Sequence, residues 1–179
     1  TPYAGAGEFD AYQDFAVSRS REPVLLPTPL VSRRVGRLAE AHGAELVVWD
    51  PALPVGLVAP RVDRPYAVVL HGAEVTIPGR LPGTRQLLGR VLRGASLVIC
   101  AGRYPEAEAQ RAAGGPLPTV VVPPGVDTSR FQPLDAAERS SVRGELGLPV
   151  DAPLVVSVSR LVPRRGMGTL IRAAARLRD

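Results

Sequence analysis

Short aliphatic runs rich in β-branched residues recur along this 179-residue chain, and most are followed by a segment whose apolar residues fall at helical spacing. That alternation is the signature of βα units feeding one parallel sheet. The runs are residues 24–26, 45–49, 66–70, 96–100, 119–122 and 154–158. Helical patterns cover 30–41, ended by Gly43, then 52–62, interrupted by proline, then 84–93 and 104–113. Two more cover 136–146, ended by Gly147, and 169–178. The stretch 72–83, rich in glycine and proline, reads as a loop. Composition agrees: 45% of residues are hydrophobic but only 4% aromatic, so the core is built from Val, Leu and Ala. Such a core suits parallel strands covered by helices on both faces.

Charge and cysteine usage exclude several chemistries. All 22 basic residues are arginine. A chain without lysine performs neither Schiff-base nor P-loop chemistry. The net charge of +5 is spread along the whole chain with no aromatic interleaving and no nucleic-acid module, which reads as solvated faces and no nucleic-acid partner. The single cysteine, Cys100, ends an aliphatic run and reads as a buried strand thiol. It excludes an internal disulfide and any Cys-rich metal site, and fits a reducing cytosol. No apolar stretch is long enough to cross a bilayer and no signal peptide is visible, so the expected location is cytoplasmic.

Three stretches carry candidate chemistry. After the run 154–158 comes a turn holding Arg160, Arg164 and Arg165, then Gly166 and a helix. Cations at a helix N-terminus oppose its dipole by about 0.3–1 kcal/mol each, so three together imply an anion that offsets the conflict. Ligands of parallel sheets sit beyond the carboxyl ends of strands, where helix N-termini favour anions, and a phosphate or diphosphate fits. A solvated basic turn is the plainer alternative. Second, His71-Gly72 ends the run 66–70, with Glu74 close behind. This histidine is either hydrogen-bonded at a strand end or functional, and Glu74 orients it, binds an acceptor hydroxyl or is solvated. His-Gly after a strand also opens the oxyanion loop of many α/β-hydrolases, but no Gly-x-Ser-x-Gly elbow follows. Third, a β-branched run stops at Pro123-Pro124, and Gly125 and Asp127 read as a turn and a cap for 128–131.

The segment from Val156 to Met167 resembles the start of the nucleotide-sugar domain of family-four glycosyltransferases of the GT-B fold. In that pattern an arginine and a lysine contact the donor diphosphate. Arg160 stands at the arginine position and Arg165 at the lysine position, where a guanidinium can hold a phosphate bidentately. The segment from Val120 to Phe131 resembles the one that closes the family's N-terminal domain, and Val68 to Glu74 resembles the loop that brings a histidine to the interdomain cleft. Leu26-Pro27-Thr28-Pro29, His71-Gly72-Ala73-Glu74 and Pro123-Pro124-Gly125-Val126-Asp127 resemble the actinobacterial phosphatidylinositol-mannoside mannosyltransferases.

The resemblance implies an α/β chain in three parts: a Rossmann-like N-terminal domain lacking its start over 1–132, a connection over 133–150, and the truncated opening βα unit of a second Rossmann-like, nucleotide-sugar domain over 151–179. The implied activity of the parent is retaining transfer of mannose from a nucleoside-diphosphate sugar, GDP-mannose being the favoured donor, to a lipid-linked or small glycan acceptor. Neither metal nor cofactor is implied. His71, Arg160 and Arg165 would be catalytic, the two arginines holding the diphosphate, and the 179 residues alone would not catalyse transfer. A nucleotide-sugar epimerase and a non-catalytic binder of anionic surfaces remain as alternatives. The helix over 84–93 sets Arg85, Arg90 and Arg93 beside Leu87, Leu88, Val91 and Leu92. It is either an ordinary surface helix or a peripheral contact with the inner face of the plasma membrane.

Overall fold

The computed structural model describes residues 3–162 and 165–177. The chain forms two compact units, Thr1–Gly125 and Val126–Asp179. The first unit holds a four-stranded, all-parallel sheet in the order β1 (Val47–Trp49), β2 (Tyr66–Leu70), β3 (Leu97–Cys100) and β4 (Thr119–Val121). Trp49 pairs with Val68, Leu70 with Cys100 and Cys100 with Val121, so all four carboxyl ends lie along one edge. Before the sheet come α1 (Ala6–Ala11) and α2 (Pro29–Ala41). A 3-10 helix, Val55–Arg61, connects β1 to β2; α3 (Ala73–Arg80) and α4 (Thr84–Gly94) connect β2 to β3; α5 (Arg103–Ala113) connects β3 to β4.

The side-chain period of a strand sets the core on one face of the sheet. Trp49, Val68, Leu70, Val98 and Cys100 are buried there beneath Val75 of α3, Leu88, Val91 and Leu92 of α4, and Ala109 and Ala112 of α5. On the other face Val48 and Val120 are exposed while Val69 and Ile99 are half-buried, so the two faces are not covered equally. Helix α4 lies close against α5 because Gly89 has no side chain; a Cβ there would stand 2.9 Å from the Ala112 carbonyl oxygen. Tyr66, buried at the start of β2, donates its hydroxyl to the Val91 carbonyl at 2.7 Å and so ties the sheet to the end of α4.

Several elements differ from the sequence expectation. Residues 24–26 form no strand: Pro27 and Pro29 remove two ladder donors, and no strand among the described residues lies alongside. Thr28 instead caps α2, accepting from the Val31 N–H at 3.3 Å, with Pro29 at the first helical position. The expected helix over 52–62 is shortened and tightened to the 3-10 helix Val55–Arg61, which follows Pro54 and contains Pro60. The expected loop over 72–83 contains α3, whose only internal proline, Pro78, is tolerated in a helix of eight residues.

The second unit contains α6 (Ala136–Glu145) and α7 (Met167–Ala175). A capping box starts α6: Asp135 Oδ1 accepts from the Glu138 N–H at 2.8 Å, and Glu138 Oε2 accepts from the Asp135 N–H at 3.0 Å. After it, Arg143 Nη1 donates to the carbonyls of Pro149, Val150 and Ala152 at 3.1, 2.8 and 2.8 Å, folding the following segment back on the helix. The expected strand over 154–158 is not formed, so the βα unit has its helix without its strand. Val155, Val156 and Val158 are exposed, and no described strand lies beside them to supply a ladder. The expected helix over 169–178 starts two residues earlier and ends at Ala175; Arg178 lies outside the described residues.

Candidate functional site

The carboxyl edge of the sheet brings together residues that the sequence spaces widely. Asp50 follows β1 directly, and His71 follows β2, its parallel neighbour. His71 Nε2 lies 3.1 Å from Asp50 Oδ2. Both side chains are about half exposed, 58% for His71 and 51% for Asp50, so the pair faces solvent at the edge. Glu74, in the first turn of α3, turns its Oε1 back onto the strand end and accepts from the backbone N–H groups of His71 and Gly72, the latter at 2.6 Å. An acidic side chain suits that position, since the first turn of a helix has unpaired N–H groups and positive potential. Glu74 thus grips the backbone of the His71-Gly72 turn.

Two carboxylates thus bear on one imidazole. The hydrogen bond to Asp50 raises the His71 pKa above its ordinary 6.5, slight burial opposes this, and the charges of Asp50 and Glu74 add to the rise. The imidazolium is therefore favoured beyond the usual range. Cys100, at the end of β3 on the same edge, is a buried thiol, and burial, with the Glu106 charge adding to it, pushes it up to about 11, which disfavours the thiolate.

Helix α3, which carries Glu74, is itself anchored. Glu108 of α5 is buried and accepts from Arg111 at 2.6 and 2.8 Å and from Arg80 of α3 at 3.3 Å. Arg111 first, and Arg80 with it, hold this carboxyl below its ordinary 4.5 against the opposing effect of burial. Tyr104 joins from the same helix, its hydroxyl 3.4 Å from Thr76 Oγ1.

The arginine-rich turn lies in the second unit. Arg160 is exposed, and its carbonyl accepts from the Val162 N–H at 2.9 Å. Arg165 is exposed and its N–H donates to the Val162 carbonyl at 3.0 Å. Gly166, at φ 69°, then caps α7 in a left-handed conformation that glycine adopts without penalty. Among the described residues neither guanidinium has a hydrogen bond or ion pair, so both are available to a ligand. Arg164 lies outside the described residues. Asp127 caps a single turn as its sequence suggests, Oδ1 accepting from the N–H groups of Ser129 and Arg130 at 2.9 and 3.2 Å.

Helix α4 shows what its arginines do. Leu88, Val91 and Leu92 are buried, while Arg85 and Arg93 donate to the carbonyls of Arg111 and Ala113 at 3.0 and 2.6 Å. Two of the three cations thus hold the carbonyl end of α5, where its dipole is negative. Among the described residues, no helix is long and apolar enough to cross a membrane, and no group of three His, Cys, Asp or Glu residues is placed to hold a metal.

Asp50 is the site residue that sequence reasoning missed. Its signal was position alone: a carboxylate directly after an aliphatic run, recognisable only once β1 and β2 were known to be neighbours.

The profile of Glycosyltransferase Family 4 matches residues 3–130. A GDP-mannose-dependent alpha-(1-6)-phosphatidylinositol monomannoside mannosyltransferase of Mycolicibacterium smegmatis is 38% identical over 183 residues, covering 98% of this chain and 47% of the relative. The protein of the same description from Mycobacterium tuberculosis is 37% identical over 179 residues, covering 94% and 46%. A GDP-mannose-dependent monoacylated alpha-(1-6)-phosphatidylinositol monomannoside mannosyltransferase of Corynebacterium glutamicum is 30% identical over 172 residues, covering 94% and 45%. The chain spans about half the length of these relatives.

Proposed function

Because this chain belongs to Glycosyltransferase Family 4, we propose that it serves a mannosyltransferase that moves mannose, with retention of configuration, from GDP-mannose to a phosphatidylinositol-based lipid acceptor. The observation that carries this reading is the agreement of three relatives on both donor and acceptor across 94–98% of this chain. The acid–base inventory is compatible with it: an exposed histidine held at a sheet edge and two guanidiniums on one turn with no partner among the described residues.

In this reading Arg160 and Arg165 bind the donor diphosphate and stabilise the charge that develops as the glycosidic bond to it breaks. Preorganised cations of this kind act most strongly where the charge develops, and they do so without a metal. His71 contacts the transferring sugar, and Glu74 fixes the His71-Gly72 turn that presents it. The carboxyl edge of a parallel sheet is where such a ligand binds. Residues 133–150 are read as the interdomain connection and 151–179 as the opening of the nucleotide-sugar domain. Peripheral contact with the inner membrane face has weaker support, since two arginines of α4 are engaged within the fold.

The test is transfer of radiolabelled mannose from GDP-mannose to phosphatidylinositol monomannoside by the enzyme that contains this chain, with GDP-glucose and UDP-glucose as competing donors. Transfer from GDP-mannose to the inositol lipid supports the reading. Transfer to other acceptors only, or conversion of the donor sugar with no acceptor present, overturns it.

A further inference from the structure

We infer that Asp50 is a positioning residue of this site: it holds His71 through Nε2 and thereby makes Nδ1 the ring atom that meets the substrate. The inference rests on the reading of His71 as the sugar-contacting residue and adds which atom does so and what fixes it. An ionised carboxylate only accepts hydrogen bonds, so the 3.1 Å contact between Asp50 Oδ2 and His71 Nε2 requires the proton on Nε2. A neutral His71 is then the Nε2–H tautomer with Nδ1 an acceptor, and a protonated His71 offers Nδ1–H as a donor. No protein partner of Nδ1 is found among the described residues. A carboxylate that sets the tautomer and orientation of a functional histidine is a recurrent arrangement.

The placement is built from both strands. Asp50 stands one residue beyond Trp49 and His71 one beyond Leu70, at the ends of adjacent parallel strands. Glu74 fixes the backbone from which the ring projects, accepting from the N–H groups of His71 and Gly72, and the contact to Asp50 is what orients the ring itself. The charged groups that bear on the ring are Asp50, after β1, and Glu74, on α3; both favour the imidazolium, and Asp50 does so through a direct bond. Removing the Asp50 charge while keeping its shape therefore changes the protonation and tautomer of His71 without changing the fold, since Asp50 is half exposed.

The test uses long-range proton–nitrogen NMR correlation of the imidazoles, simplified by there being only two histidines, His42 and His71. In the unmodified chain His71 should titrate above 6.5 and be the Nε2–H tautomer when neutral. Asp50→Asn should lower that titration towards 6.5 and mix the tautomers, and Asp50→Glu should restore most of the shift. In the enzyme that contains this chain, Asp50→Asn should shift the pH profile of kcat for mannose transfer in the same direction as the His71 titration, with KM for GDP-mannose little changed. A His71 that titrates at or below 6.5, or that Asp50→Asn leaves unmoved, overturns the positioning by Asp50. A shifted titration with an unshifted pH profile overturns its part in the reaction, whereas absence of transfer in the unmodified enzyme counts against the mannosyltransferase reading instead.

Discussion

Gly94→Ala should destabilise the first unit in the native background and cease to do so once the Tyr66 hydroxyl is removed. Gly94 is the last residue of α4 and has ordinary helical backbone angles, so propensity alone would favour alanine by up to about 1 kcal/mol. An added Cβ, however, would fall well inside 3.0 Å of Tyr66 Oη, with Tyr66 Cζ at 3.4 Å. Tyr66 cannot retreat: it is buried in β2, its ring fixed by the strand pairing of Tyr66 with Val47 and its hydroxyl by the bond to Val91. Overpacking of this kind costs about 1–3 kcal/mol. Displacing the hydroxyl also strands the Val91 carbonyl at a helix end, worth about 1–2 kcal/mol by itself. The expected net loss for Gly94→Ala is therefore about 1–4 kcal/mol after the propensity gain. Tyr66→Phe alone should cost about 1–2 kcal/mol. In the Tyr66→Phe background the closest remaining ring carbon is at 3.4 Å, so Gly94→Ala should be neutral or stabilising. Urea unfolding followed through Trp49, the one tryptophan, reports on this unit directly, because Trp49 is buried in its core. Simple additivity of the two substitutions would refute the reasoning, as would a Gly94→Ala chain at least as stable as the parent.

Three further outcomes bear on the site and its support. On the proposed function, His71→Ala in the enzyme that contains this chain should lower mannose transfer by about 10²–10³-fold while leaving the melting temperature within error, since its ring is more exposed than buried; normal turnover would remove His71 from the reaction. On the same reading, Arg160→Ala in the enzyme that contains this chain should weaken binding of GDP-mannose by about 10–150-fold, the loss of one charge-assisted bond, and Arg165→Lys should be mild, both read by calorimetry. Glu108, held below 4.5 by Arg111 and Arg80, contributes stability that is present above 4.5 and lost as pH falls through its lower folded value. The melting temperature of the chain should then drop more steeply below pH 4.5 than that of Glu108→Gln, and parallel curves would show that the buried carboxylate plays no such part.

Local chemistry carried much of this protein's description. Aliphatic runs of the right length made β2, β3 and β4 legible, because a buried strand needs no partner to be recognised as apolar. Helices α2, α4, α5 and α6 were legible from spacing and from terminal glycines. His71, Arg160 and Arg165 stood out as candidates because a histidine and cations that follow aliphatic runs suit the ligand-binding edge of a parallel sheet. What spacing could not reveal was which runs find neighbours. Residues 24–26 and 154–158 are as aliphatic as β1, yet neither has a described strand beside it, and a ladder exists only between two strands. Helix α3 was hidden by Pro78 and Gly79, and it forms because Gly79 lets it approach Ala112 of α5, a Cβ there being 3.4 Å from Ala112 Cβ, while Arg80 reaches the buried Glu108. The arginines of α4 read as a basic surface until the fold set Arg85 and Arg93 on the carbonyl end of α5. Asp50 became a site residue only when strand order placed it beside His71, twenty-one positions away, since a hydrogen bond depends on distance in space and sequence records only distance along the chain.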